Sequence, residues 1–172
     1  MRTDADFHFR PARATDLPAC ADLFLDVFNG PPWNEHWERA DAVRRLADCF
    51  GTPGFQGWVG EAAGKGGGSD DDGSDDDGSG GGGSLTALAL GDREPYNGQS
   101  HYFLKEMCVA PAWQRRGVGR ALVDRLTADL AAAGVHRVYL LTARDGVAEA
   151  FYRSCGFYVS PRMIMMSRRL SE

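Results

Sequence analysis

The densest chemistry in the chain lies in seven residues, Gln114-Arg115-Arg116-Gly117-Val118-Gly119-Arg120, which set three arginines around two glycines. An apolar stretch from Tyr102 to Val109 leads into them and ends at Pro111, which cannot donate into a sheet ladder. After them Val118, Leu122, Leu126 and Leu130 recur every four residues, flanked by Ala121 and Ala133 and stopped by Gly134. The order predicted is strand, basic Gly-rich turn, helix. The first N–H groups of a helix lack partners within it, and the dipole there favours an anion. Glycines at 117 and 119 remove side chains that would hold a phosphate away from the backbone. A diphosphate is the natural guest.

Two further positions have chemical potential. Glu106 interrupts an otherwise apolar strand segment two residues before Cys108, and so shares its face. A carboxylate placed there either meets a cation such as arginine or lines a cleft with a raised pKa, and both readings stand open. Nothing in the sequence activates the Cys108 thiol, so it is not expected to be a nucleophile. The P-loop pattern is excluded because its lysine is missing, and the dinucleotide pattern fails because its third glycine is Leu122.

The pattern that does match is Q/R-x-x-G-x-G/A directly after a strand ending in Val-x-Pro. It resembles the acetyl-CoA-binding motif of the GNAT superfamily of N-acetyltransferases. About thirty residues downstream, Ala150-Phe151-Tyr152-Arg153-Ser154-Cys155-Gly156-Phe157 is similar to that family's A-x-x-x-Y-x-x-x-G-F region. The resemblance implies acetyl-CoA as acyl donor, clamped by Gln114, Arg115, Arg116, Gly117, Val118, Gly119 and Arg120. It implies that backbone N–H groups at a strand bulge, matched to Cys108 and Val109, polarise the thioester carbonyl. Tyr152 is implied as the acid for the departing thiolate, and Glu106 is the candidate base. The chain departs from many relatives at Leu141, where they carry a glutamate, and at Asp145, where they carry an asparagine.

Composition agrees with a globular protein. The 172 residues are 43% hydrophobic and fit one domain, 1–172. No apolar run reaches a membrane span, and the N-terminus has no apolar signal region, so a cytoplasmic protein is expected. Cys20, Cys49, Cys108 and Cys155 form no C-x-x-C pair, and the histidines are scattered, so neither disulfides nor a metal site is expected. The net charge of −5 resides wholly in residues 64–84, with six aspartates and one lysine. That Gly/Ser/Asp-rich insert cannot bury apolar surface and reads as a disordered spacer; it lacks the glutamate of a Ca²⁺ loop. The 17 arginines are dispersed outside the 115–120 cluster, which argues against nucleic acid as a partner.

The elements that must position these residues are read in order. A strand begins at Phe7, Phe9 and Pro11. Thr15-Asp16 caps a helix with Cys20, Leu23, Phe24, Val27 and Phe28 on one face, stopped by Asn29-Gly30-Pro31-Pro32. Trp33 to Trp37 leads into a second helix running to Phe50; its tryptophans either seal the core or wall the acceptor site. Strands are expected at 55–62 and 85–90, paired across the insert as a hairpin, since loop closure costs little extra with length. A loop at 91–100, strands at 101–109 and 135–142, a helix at 147–154 and a final strand or hairpin at 157–159 and 162–170 complete the chain. This is an α/β (α+β) fold with a mixed, mostly antiparallel sheet flanked by helices, as the resemblance also implies.

The expected activity is transfer of an acetyl group from acetyl-CoA to a primary amine, on a small or aminoglycoside-like acceptor. Acetylation of a protein N-terminus or lysine, and a non-catalytic acyl-CoA sensor, are the alternatives. A monomer or homodimer is expected, without membrane association.

Overall fold

The structure, a computed structural model, describes residues 7–63 and 84–170. It divides into two compact units, one up to Leu140 and one from Leu141 onward. The first unit holds one sheet of five strands: β1 (Phe7–Pro11), β2 (Phe55–Ala62), β3 (Leu85–Tyr96), β4 (Gln99–Val109) and β5 (Arg137–Leu140). They lie in sequence order across the sheet. The first three pairings are antiparallel and β4 with β5 is parallel, so the sheet is mixed and mostly antiparallel.

Helices α1 (Leu17–Phe28) and α2 (Arg39–Gly51) cover one face. The periodic apolar residues predicted for α1 are the ones that bury: Cys20, Leu23, Phe24 and Val27 join Ala42 and Leu46 of α2 against Val59, Leu88, Leu90 and Cys108 of the sheet. Each fully buried leucine in that set contributes about 1.5–3 kcal/mol relative to exposure. Trp58, next to Val59, points to the opposite face, where its indole N–H donates to Asp129 of α3 (Val118–Ala132) at 2.8 Å. The helix that follows the basic turn therefore packs on the side away from α1 and α2.

Asp16 does not cap α1 with its side chain. A 3₁₀ turn at Ala14–Asp16 intervenes, and the carboxylate accepts from the Arg13 backbone N–H at 2.7 Å and from both terminal nitrogens of Arg10 at 2.8 Å. Trp33 and Trp37 pack against the core: Trp37 stands edge-on to Phe24 at 5.2 Å, and Trp33 lies 5.8 Å from Phe28. Both therefore help to close the end of the core.

Three expectations are corrected. The loop expected at 91–100 is instead strand: β3 continues to Tyr96, and the chain reverses at Asn97 and Gly98, both with positive φ (46° and 76°). Asn-Gly between two strands is a strong short-range hairpin signal, and here it outweighs the breaker Pro95. The strand expected at 135–142 contracts to Arg137–Leu140, beyond which Leu141 is exposed. No strand forms at 157–170, where Tyr158, Met163, Ile164, Met165, Met166 and Leu170 are exposed. Among the described residues this segment pairs with no strand, and an unpaired strand is not stable.

The insert at 64–84 lies outside the described residues except for Ser84. The strands on either side pair as expected, with Glu61 opposite Leu85. Among the described residues no helix is long and apolar enough to cross a membrane. The second unit contains α4 (Val147–Ser154), ended by Gly156 at a φ of 89°.

Candidate active site

The basic turn takes the shape its residues dictate. After Val109 a 3₁₀ turn (Pro111–Trp113) bends the chain, and Gln114 Nε2 donates back to the Val109 carbonyl at 3.0 Å. Arg115 and Gly117 both have positive φ, 60° and 85°, and α3 starts at Val118 with Gly117 as its N-cap. No side chain caps this end, and the first helical bond runs from Ala121 N–H to Gly117 O at 3.0 Å. The leading N–H groups of Val118 and Gly119 therefore point off the helix end in the geometry that receives an anion. A Cβ at Gly117 would find no atom within 4 Å, so the space beside the turn is open. The Arg116 guanidinium lies over the Trp113 ring at 5.6 Å, and that ring stands edge-on to Phe7 at 6.3 Å. Trp113 thus ties one arginine of the turn to β1.

β4 carries the next part. It pairs with β5 only over His101–Leu104, so from Lys105 to Val109 its outer edge meets no strand among the described residues. Ala110 N–H donates to Thr86 O on β3 at 2.9 Å. Alternation along the strand then turns the Cys108 N–H toward β3 as well, and the N–H and C=O of Val109 toward the open edge. Of the two donors matched to the thioester carbonyl, Val109 is the one so directed; Cys108 is occupied in the ladder. The register break between β3 and β4 falls between Leu90 and Gly91, opposite Lys105. The bulge therefore precedes Glu106, whereas Cys108 and Val109 pair in regular register with Leu88 and Ala87.

Glu106 is only 6% exposed and faces the α1–α2 side with Cys108. Of the two readings left open for it, the structure shows the arginine partner. Arg45 of α2 donates from Nε to Glu106 Oε1 at 2.7 Å and brings a terminal nitrogen to the same oxygen at 2.5 Å. Burial pushes the carboxyl above its ordinary value, and the Arg45 guanidinium pulls it partly back. Arg45 was not identifiable in the sequence; it sits three residues after buried Ala42, on the rim of the buried face of α2. Cys108 is buried, and burial pushes its thiol well above the ordinary range, which excludes a ready thiolate.

Tyr152 belongs to the second unit. It lies on α4 between Phe151 and Phe157, with ring centroids 5.2 and 5.5 Å away in edge-on contacts. Phe157 N–H returns to Tyr152 O at 3.1 Å, closing the end of the helix. At its start, Asp145 has a φ of 59° and its backbone N–H donates to Glu149 Oε2 at 2.7 Å. Among the described residues no three His, Cys, Asp or Glu side chains converge as metal ligands.

Residues 77–159 match the family model described as the acetyltransferase (GNAT) domain, a span that contains both motifs. No curated protein is similar enough in sequence to match. Among solved structures, the chain resembles a possible acetyltransferase from Clostridium difficile 630 with a TM-score of 0.73 and 11% identity, over 96% of this chain and 99% of that one. An aminoglycoside acetyltransferase from an uncultured soil metagenomic sample, solved with sisomicin, aligns with a TM-score of 0.67 and 16% identity over 98% and 99% of the two chains. Aminoglycoside N-acetyltransferase AAC(6')-Iy, solved with CoA, aligns with a TM-score of 0.66 and 15% identity over 98% and 99%. At these identities the likeness speaks for the fold.

Proposed function

We propose that the chain is a GNAT acetyltransferase, the family whose model matches residues 77–159, and that it transfers the acetyl group of acetyl-CoA to a primary amine on a small, aminoglycoside-like acceptor. The observation that carries the reading is the junction of β4's open edge at Val109 with the uncapped, arginine-rich start of α3. An elongated acyl donor with a diphosphate fits both: an anion receptor at one end and a backbone N–H directed to the open strand edge at the other. The whole span 1–172 is read as one acetyltransferase domain, supported by a family match that runs across both compact units. A cytoplasmic setting is part of the same proposal.

In this reading Gly117, Val118 and Gly119 present backbone N–H groups to the diphosphate, with Arg115, Arg116 and Arg120 supplying charge and Gln114 holding the Val109 carbonyl in place. The Val109 N–H donates to the thioester oxygen as negative charge develops there. The amine nitrogen forms a bond to the carbonyl carbon, and the carbon–sulfur bond breaks. Glu106 takes the proton released by the amine, and Tyr152 gives its phenolic proton to the leaving thiolate. The acceptor class is supported by the aminoglycoside acetyltransferases among the structural neighbours.

The test is incubation with acetyl-CoA and a panel of aminoglycosides, polyamines and peptides, read by mass spectrometry for a gain of one acetyl group. Acetylated aminoglycosides or polyamines support the reading. Acetylated peptides alone replace the acceptor class, and CoA binding without turnover of any amine replaces the enzyme with a sensor.

A further inference from the structure

We propose that Arg45 is a positioning residue for Glu106, fixing one oxygen of the carboxylate and leaving the other to receive the amine proton; this rests on reading Glu106 as the base. Both contacts from Arg45, at 2.7 and 2.5 Å, go to Oε1. Neither contact from Arg45 goes to Oε2. A guanidinium that donates twice to one atom sets the direction of the group as well as its charge. Arg45 is itself held from behind: its guanidinium lies over the Trp37 ring at 5.5 Å. The indole N–H of Trp37 donates to Glu35 Oε2 at 2.5 Å, and the Trp37 backbone is clasped by Asn29, which accepts from its N–H at 2.8 Å and donates to its carbonyl at 3.0 Å. The connection between α1 and α2 thus ends in a platform whose upper layer is the cation on Glu106.

The charge arrangement explains why a cation is needed there. Glu106 has a side chain only 7% exposed, whereas that of Arg45 is 48% exposed. The groups around the carboxylate are Arg45 and Cys49 from α2, Glu35 from the connection, and Lys105 and Cys108 from its own strand. Lys105 pairs with Asp92 at 2.5 Å, so its charge is already answered. Glu35 acts against ionisation, and the two thiols are neutral. Arg45 is the group that hydrogen-bonds the carboxylate, and an arginine does not lose its charge. Without it a buried carboxyl beside Glu35 retains its proton further up the pH scale and, so protonated, is too weak a base to take the proton of the amine.

The experiment compares the full-length protein with Arg45→Lys, Arg45→Met and Glu106→Gln, all checked for fold by near-UV circular dichroism. Carboxyl ¹³C NMR, with the Glu106 signal assigned by its loss in Glu106→Gln, gives the titration midpoint without any acceptor. Arg45→Met should raise that midpoint by a unit or more, and Arg45→Lys should raise it less. With acetyl-CoA and sisomicin as probes, each unit should lower kcat/KM about tenfold on the acid limb and leave the alkaline plateau within about twofold. A midpoint unmoved in Arg45→Met overturns the proposal, while an inactive Glu106→Gln still upholds the base. Glu106→Gln turning over at the wild-type rate overturns the base reading itself, whatever Arg45 does to the midpoint.

Discussion

A Cβ built on Gly91 falls 2.1 Å from the carbonyl oxygen of Phe103 and 2.7 Å from the phenolic end of Tyr102. Gly91 stands where the β3–β4 register breaks, opposite the extra residue Lys105. The missing side chain lets the two backbones approach closely enough for β4 to change step. That change of step puts Glu106 and Cys108 on the face of α1 and α2, although Tyr102, an even number of residues away, faces α3.

Gly91→Ala is therefore expected to cost about 1–3 kcal/mol or more, because a backbone oxygen cannot yield as a side chain does. Urea unfolding measures the loss. A variant as stable as wild type would show that the approach of the two strands relaxes freely.

The turn at Gly117 behaves differently. Its φ of 85° penalises any side chain by about 1–2 kcal/mol, but there is nothing nearby to clash with. Gly117→Val should stay folded by circular dichroism while calorimetry shows CoA affinity falling by tenfold or more, about 1.4 kcal/mol. Undiminished affinity would remove the turn from the cofactor site.

Tyr152→Phe keeps the edge-on contacts with Phe151 and Phe157 and loses the proton. It should lower kcat by roughly 10²–10⁴-fold, the usual scale for one acid–base group, with CoA affinity unchanged. Wild-type turnover in this variant would make Tyr152 a packing residue.

How far the sequence carried this picture differs between elements. The strand–turn–helix around 102–133 was legible because glycines, arginines and a four-residue apolar period all lie within one contiguous stretch. The buried faces of α1 and of α3 followed from period alone. Arg45 was invisible because its partner lies sixty-one residues away, and no local pattern marks an arginine that will meet a distant carboxylate. The Asn97–Gly98 turn was misread because Pro95 and Glu94 resemble loop composition, whereas their pairing with Ser100 and His101 is a property of two strands together. The segment 157–170 shows the converse: alternating apolar residues promise a strand, but a strand exists only where a ladder receives it.

Acid stability should be governed by Arg10, which bridges Asp16 and Glu61. Its hydrogen bonds hold both carboxyls below their ordinary values of 3.8 and 4.5. The stabilisation is therefore present above those values and lost as pH falls through the lower folded ones. Arg10→Met should cost about 1–2 kcal/mol at pH 7, between an exposed and a fully buried pair, and much less near pH 2. Equal losses in thermal unfolding at both pH values would show that packing of the arginine stem, and not its charge, is what matters.

The four-residue pairing of β5 with β4 leaves a record that water can read. Past Leu104 the amides of Met107 and Val109 face outward, while those of Cys108 and Ala110 are held by β3. In the unliganded protein, amide exchange along this stretch should alternate residue by residue, fast at 107 and 109 and slow at 108 and 110. Saturation with CoA should slow the fast pair and leave the slow pair as they were, so that the ligand is detected as a missing sixth strand. A uniform rate from 107 to 110 would mean that the edge is already covered or that the ladder itself frays.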